Sequence, residues 1–155
     1  MSLRYEIKRM DDMSVGELYG MLQLRAQVFV VEQNAAYLDL DGKKDFESSH
    51  ILCFDDCRVV GTLRIIPPGV YYDEVSIGRV CNTKGYRGRG IGKQMLQLAL
   101  DYISKNYPIQ DIRLSGQTYL TKFYNEFGFV REGEEYLEDG LPHYQMVRVA
   151  KDFAR

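Results

Sequence analysis

The segment RGRGIGKQMLQLALDYI, Arg87 to Ile103, joins a glycine-rich turn directly to an apolar helical pattern. Gly88, Gly90 and Gly92 alternate with Arg87, Arg89 and Ile91, and Lys93 follows. The start of a helix leaves about four amide N–H groups without intrahelical partners, and the helix dipole is positive there. Glycines admit left-handed torsions and let a ligand come close to the main chain. Arg87, Arg89 and Lys93 add positive charge. The chemistry that fits is the grip of a diphosphate by main-chain amides between residues 87 and 93. Two familiar phosphate loops are excluded. A Walker loop requires glycine at position 87 and Ser or Thr at 94, where the chain has Arg87 and Gln94. A dinucleotide fingerprint starting at Gly88 requires glycine at 93, where Lys93 stands.

Other residues with chemical potential are sparse. The histidines are His50 and His143, and the cysteines are Cys53, Cys57 and Cys81. An odd cysteine count without an apolar leader reads as a reducing, cytoplasmic setting, and the ligand spacings of a zinc site are missing, so no metal is expected. YLDLDGKKD, from Tyr37, is dense in carboxylates, yet it fails as a calcium loop. With Asp39 and Asp41 at the third and fifth ligand positions, Tyr37 and Ser48 fall at the first and last. Arg25, Arg64 and Arg79 fall in predicted elements, where they either pair with these acids or select an acidic acceptor. A net charge of −2 argues against nucleic-acid binding driven by bulk charge. No apolar run reaches the ~18 residues of a spanning helix, so no membrane partner is expected.

The elements that must position these groups follow from periodicity. The chain has 155 residues, the size of one domain, with 45% hydrophobic and 27% charged residues. Arg4–Met10 reads as a strand. Ser14 and Glu17 form a capping box for a helix with Leu18, Met21, Leu22, Arg25 and Phe29 on one face. Residues 30–47 read as irregular. His50–Phe54 and Val59–Ile66 read as hairpin strands, ended by Pro67-Pro68-Gly69. Glu74–Cys81 reads as the strand leading to the glycine turn. The helix after Gly90 carries Ile91, Met95, Leu98, Ala99 and Tyr102 as a stripe, widened by Leu96, Leu100 and Ile103. Ile112–Ser115 is a short strand and Thr118–Phe127 a short helix ended by Gly128. Phe129–Arg131 and Pro142–Val149 are expected as final strands joined by an acidic loop, EGEEYLEDG. The sum is one α/β domain, residues 1–155, with a mixed sheet and helices on its faces.

Arg87-Gly88-Arg89-Gly90-Ile91-Gly92 resembles the Arg/Gln-x-x-Gly-x-Gly/Ala signature of the GNAT superfamily of N-acetyltransferases. FYNEFGF, Phe123 to Phe129, looks like that family's second coenzyme segment. LRAQVFVVEQ, YLDLDG, IGRV and EDGLPHYQM resemble its ElaA-like branch, in order along most of the chain. Asn82, Lys84 and Asn34 depart from the common residues at their positions. The resemblance implies a GNAT fold with a mixed, mostly antiparallel central sheet flanked by helices on both faces. It implies acetyl-CoA as co-substrate, its diphosphate on the turn. Its pantetheine would lie between the strand 74–81 and the strand 112–115, which splay apart. Val80, Cys81 and Asn82 would contact it and supply a backbone oxyanion donor, with Gln117 a further contact. Tyr124 matches the tyrosine that serves many members as general acid to the departing thiolate.

The base stays open between Glu74 and His143 as first candidates, Glu32 and His50 behind them, and a water path. Imidazole titrates nearest neutrality of the side chains. The expected activity is transfer of acetyl directly to a primary amine of a small molecule or peptide, without a covalent step through Cys81. The alternative is a non-catalytic acyl-CoA sensor that keeps the turn and lacks the chemistry. A homodimer is the default assembly.

Overall fold

The computed structural model describes residues 2–150. A seven-stranded sheet runs through it in the order β1-β2-β3-β4-β5-β7-β6. The strands are β1 (Leu3–Arg9), β2 (Ser49–Asp55), β3 (Arg58–Ile66), β4 (Val75–Asn82), β5 (Ile112–Gln117), β6 (Val130–Glu138) and β7 (Leu141–Arg148). The helices are α1 (Val15–Arg25), α2 (Lys44–Glu47), α3 (Ile91–Asn106) and α4 (Thr121–Asn125). Every strand pair is antiparallel except β4 with β5. Among the described residues no helix is long and apolar enough to cross a membrane.

The sheet is covered on both faces because β2 and β3 are apolar on both. Along β2, Ile51 and Cys53 join the cluster of α3, while Leu52 and Phe54 join that of α1. The α3 side holds Ile91, Met95, Leu96, Ala99, Leu100 and Ile103, while Leu98 and Tyr102, placed on the stripe from the sequence, are only partly buried. The α1 side holds Met21, Leu24, Val28 and Phe29. Close approach is set by two glycines. A Cβ on Gly61 would stand 3.0 Å from Ile91 Cγ2, and one on Gly20 3.1 Å from Val59 Cγ2.

The capping box forms as read: Glu17 N–H donates to Ser14 Oγ, and Ser14 N–H to Glu17 Oε1. The helix then continues past Arg25 as a π-helical segment, Ala26–Glu32, further than the expected irregular start at residue 30. The acidic stretch is a correction. Residues 132–138 belong to β6, and only Asp139-Gly140 make the turn, with φ of 52° and 78°. Both torsions are left-handed, the geometry whose twist matches that of paired strands. β6 is an edge strand, and charge is what such strands carry against unwanted pairing. That charge conceals the strand in the sequence.

Candidate active site

A break in the sheet makes the site. β4 and β5 pair only at Val75–Ile112 and Ser76–Arg113. Beyond those pairs the two strands part. The cause lies on β4, where the step from Gly78 to Cys81 faces the shorter step from Arg64 to Thr62 on β3. The extra residue is a bulge, and Arg79 takes a left-handed φ of 50° in it. A cleft of about 640 Å³ opens where the strands separate. Gly78 to Asn82 line one lip, and Ser115, Gly116 and Gln117 the other. The splay expected from the resemblance is therefore present.

Gly88 and Gly92 line the same cleft. Gly88 and Gly90 both have φ of 80°, and Gly90 is the N-cap of α3 without a side-chain cap. Gln94 N–H donates to Gly90 O, so the helical ladder begins there. The amides of Ile91, Gly92 and Lys93 donate to no protein group among the described residues. This is the donor set of an anion site at a helix start. Of the basic side chains, Arg87 lines the cleft, and each has a contact within the protein. Arg87 Nη2 donates to Glu32 Oε1 at 2.7 Å and to Asn82 O at 3.1 Å, tying the turn to the end of β4. Arg89 lies over the Tyr86 ring, and Lys93 pairs with Glu126 at 3.3 Å. The main chain, rather than these side chains, presents the free donors at this turn. Gly90→Ala is expected to destabilise the fold by about 1–2 kcal/mol, because nothing lies within 4 Å of the added Cβ and the cost is the torsion alone. An unchanged urea midpoint would contradict this.

Tyr124 lies on α4 with its ring against β5 and is 5% exposed. Gly116 makes this possible: a Cβ there would meet Tyr124 Cε2 at 3.1 Å. The edges of Phe123 and Phe129 complete the ring's packing, at centroid distances of 5.2 and 5.9 Å. The Tyr124 hydroxyl has no hydrogen-bond partner among the described residues, and the residue lines the cleft. Burial, then the nearby Tyr119, raises its pKa well above that of a free phenol. Cys81 also lines the cleft, but burial pushes its thiol up to about 12. It is thus a neutral thiol at physiological pH and a poor nucleophile.

Of the base candidates, His143 and Glu32 line the cleft; Glu74 and His50 are not among its lining residues. The Glu74 carboxylate is bonded to Arg113 Nε at 3.2 Å. His50 is fully buried on β2, with Nε2 3.0 Å from Asp45 O. His143, directly across from Gln117 on β5, sends Nδ1 to Leu141 O at 2.8 Å. A carbonyl only accepts, so Nδ1 carries the hydrogen, and in the neutral ring the lone pair is on Nε2. Nε2 stands 3.6 Å from Glu138 Oε2. Ser115 Oγ donates to the other Glu138 oxygen at 2.9 Å and is bonded to the Tyr136 hydroxyl. Glu138 is one of the acids, with Glu134, Glu135 and Asp139, that the sequence offers as an attraction for a cationic acceptor; Ser115, Lys44 and Tyr71 were not singled out. Only tertiary pairing of β5, β6 and β7 brings Ser115 to Glu138, and no local pattern marks Lys44 or Tyr71.

Arg64 and Arg79, which line the cleft, meet Arg25 and the YLDLDGKKD acids in one ion-pair network. Arg25, fully buried, donates to Asp39 at 3.0 Å and to Asp45 at 2.7 Å. Arg64 reaches Asp41 and Asp45, and Arg79 reaches Asp39. Pairing within the protein is the alternative the structure selects.

The family model of the acetyltransferase (GNAT) domain matches residues 17–150. The chain belongs to the GNAT family. ElaA of Escherichia coli K12 is 38% identical over 138 residues, 88% of this chain and 90% of ElaA. Its crystal structure superposes with a TM-score of 0.88 over 95% of this chain and 99% of that one. An acyl-CoA N-acyltransferase from Pseudomonas aeruginosa superposes with a TM-score of 0.89 at 37% identity, over 96% of this chain and all of that one. A UPF0039 protein of Synechocystis is 37% identical over 148 residues, 95% of this chain and 96% of its own length. The ElaA-like branch of the GNAT family, and its single-domain fold, are thereby established. Membership supports acyl-CoA-dependent N-acyl transfer.

Proposed function

We propose that this GNAT protein transfers acetyl from acetyl-CoA to a primary amine within a ternary complex. The observation that carries the reading is the parted edge of β4 and β5. It leads from the free amides at the start of α3 to the Tyr124 hydroxyl and the His143 imidazole. The diphosphate sits on residues 88–93, and pantetheine takes the place of the missing strand pairing along Val80, Cys81 and Asn82. A main-chain N–H of that edge serves the carbonyl oxygen as it becomes an oxyanion.

His143 takes the proton that the ammonium must lose. Its Nε2 lone pair accepts it, and the resulting imidazolium is held between Leu141 O and the Glu138 carboxylate. The amine nitrogen then bonds to the carbonyl carbon and the C–S bond breaks. Tyr124 donates its O–H to the departing sulfur. Its raised pKa keeps it protonated until that moment. Two protons leave the ammonium in all: the one on His143 passes to solvent, and the one shed as the amide forms restores the Tyr124 hydroxyl, so the thiol's proton is balanced. Cys81 takes no covalent part. Glu74, held by Arg113, has no role in this sequence of steps.

The test is release of free coenzyme thiol from acetyl-CoA across a broad panel of primary amines, with coenzyme binding followed separately by calorimetry. Amine-dependent release is the expected result. Tight coenzyme binding with no release from any amine would replace the enzyme by an acyl-CoA sensor.

A further inference from the structure

The acceptor end of the cleft contains one cation that the protein leaves without a carboxylate in contact. Arg25, Arg64 and Arg79 are neutralised by Asp39, Asp41 and Asp45. Lys44 is not. It lines the cleft, and among the described residues no carboxylate oxygen lies within 4.0 Å of its ammonium. The Lys44 amide, with that of Lys43, donates to Asp41 Oδ1, which fixes the start of α2 and so the root of the side chain. The ammonium rests 3.7 Å above the centre of the Tyr71 ring. Tyr71 is itself stacked on Tyr72 at 4.1 Å. A cation held over an aromatic face is positioned while its outer hydrogens remain available to donate. Burial works against its charge.

The surroundings fit a small anionic group at that place. Gly78 lines the cleft directly across from Arg64, and a Cβ there would meet nothing within 4 Å. That stretch of the cleft floor, across from Arg64, is therefore open. Arg64 Nε is a buried donor without an acceptor among the described residues. Glu138, the partner of His143, is near enough to act on Lys44 through space yet makes no contact with it. A positive and a negative group thus stand apart across one pocket, and the negative one belongs to the proposed base.

We infer that the acceptor is a small amino carboxylate, its carboxylate bound by Lys44 over the Gly78 floor and its amine presented to His143 and Glu138. The inference rests on the transfer reading above and adds the chemical class of its acceptor. An ammonium entering the cleft is drawn to Glu138, and a carboxylate relieves the unneutralised charge of Lys44. A simple alkylamine satisfies only the first, and a dicarboxylate without an amine only the second.

Thiol release is measured for a series of straight-chain amino carboxylates, each beside the alkylamine of the same length. The amino carboxylates are expected to be favoured about tenfold or more in kcat/KM, the worth of one charge-assisted hydrogen bond. Lys44→Met, which keeps the length and loses the charge, is expected to erase that preference while acetyl-CoA affinity and the alkylamine rates stay unchanged. Equal rates for the two members of each pair would overturn the assignment, as would a preference that survives Lys44→Met. A second measurement does not depend on turnover. With coenzyme A bound, an N-acetylated amino carboxylate is titrated by calorimetry against its neutral carboxamide. Lys44-dependent binding of the acid with no thiol release from any amine would sink the transfer reading and keep the anion pocket. Equal binding of acid and amide would sink the pocket.

Discussion

Tyr124→Phe is expected to slow acetyl transfer about 100-fold while acetyl-CoA binds with unchanged affinity and the protein melts where the parent does. The split follows from where the hydroxyl is. The ring is packed by Phe123 and Phe129 and laid on Gly116, and phenylalanine keeps all of those contacts. The hydroxyl is bonded to nothing among the described residues, so its removal leaves no buried partner stranded. In the proposed mechanism the substitution takes away a donor that acts on sulfur only as the C–S bond lengthens. An interaction made only in the transition state appears in kcat and not in binding. The pH profile adds a second check. Burial holds the Tyr124 phenol above its ordinary range, so its ionisation should not limit the rate as pH rises through 10 in the parent enzyme. If the variant instead lost coenzyme affinity and kept its turnover per bound coenzyme, Tyr124 would be a wall of the binding site and the donor role would fall.

The two halves of this site were legible to different degrees, for a physical reason. The diphosphate turn is local: glycine torsions, a helix start and its amides all lie within residues 87–93 and are written there in sequence order. The claim of Glu32 on Arg87, by contrast, is a contact across the fold that no local spacing announces. The strands β2, β3 and β4 follow from apolar runs that any reader of the sequence can find, while their order in the sheet does not. β6 escaped because an edge strand hides its pattern under glutamates. The acceptor half is assembled from four separate stretches, α2 with Lys44, the loop with Tyr71, β5 with Ser115, and the β6–β7 hairpin with Glu138 and His143. No spacing in the chain reports such a meeting. The bulge that opens the cleft is equally silent, since Arg79 is neither glycine nor asparagine and nothing local announces its left-handed torsion.

Asp45→Asn is expected to cost about 3–5 kcal/mol, a large share of the ~5–15 kcal/mol that holds a domain of this kind together. Asp45 is 3% exposed and accepts from both Arg25 Nη atoms and from Arg64 Nη1. Removing its charge leaves two guanidinium groups buried beside one another with less than their balancing charge. The same residue sets the acid sensitivity. Burial pushes its carboxyl up, but the hydrogen bonds and charges of Arg25 and Arg64 outweigh this and hold it at about 2. Its folded pKa lies below the unfolded one, so its stabilisation is complete above about pH 4 and is lost as pH falls toward 2. His50 contributes with the same sign at higher pH. Its Nε2–H donates to Asp45 O, and its Nδ1 is buried without a partner. Burial lowers its pKa, and the charges of Arg25 and Arg64 add to that. The unfolded chain therefore takes up a proton first, and stability begins to fall below about pH 6.5. Urea midpoints measured from pH 8 to pH 3 should show two separate losses. His50→Gln, which keeps a neutral donor toward Asp45 O, should remove the upper loss and leave the lower. A single acid transition unchanged by His50→Gln would refute the histidine's part. An Asp45→Asn protein as stable as its parent would show that Arg25 and Arg64 find other counter-charges. Because α2 carries both Asp45 and Lys44, loosening this network should also weaken the acceptor end of the cleft before the diphosphate turn is disturbed.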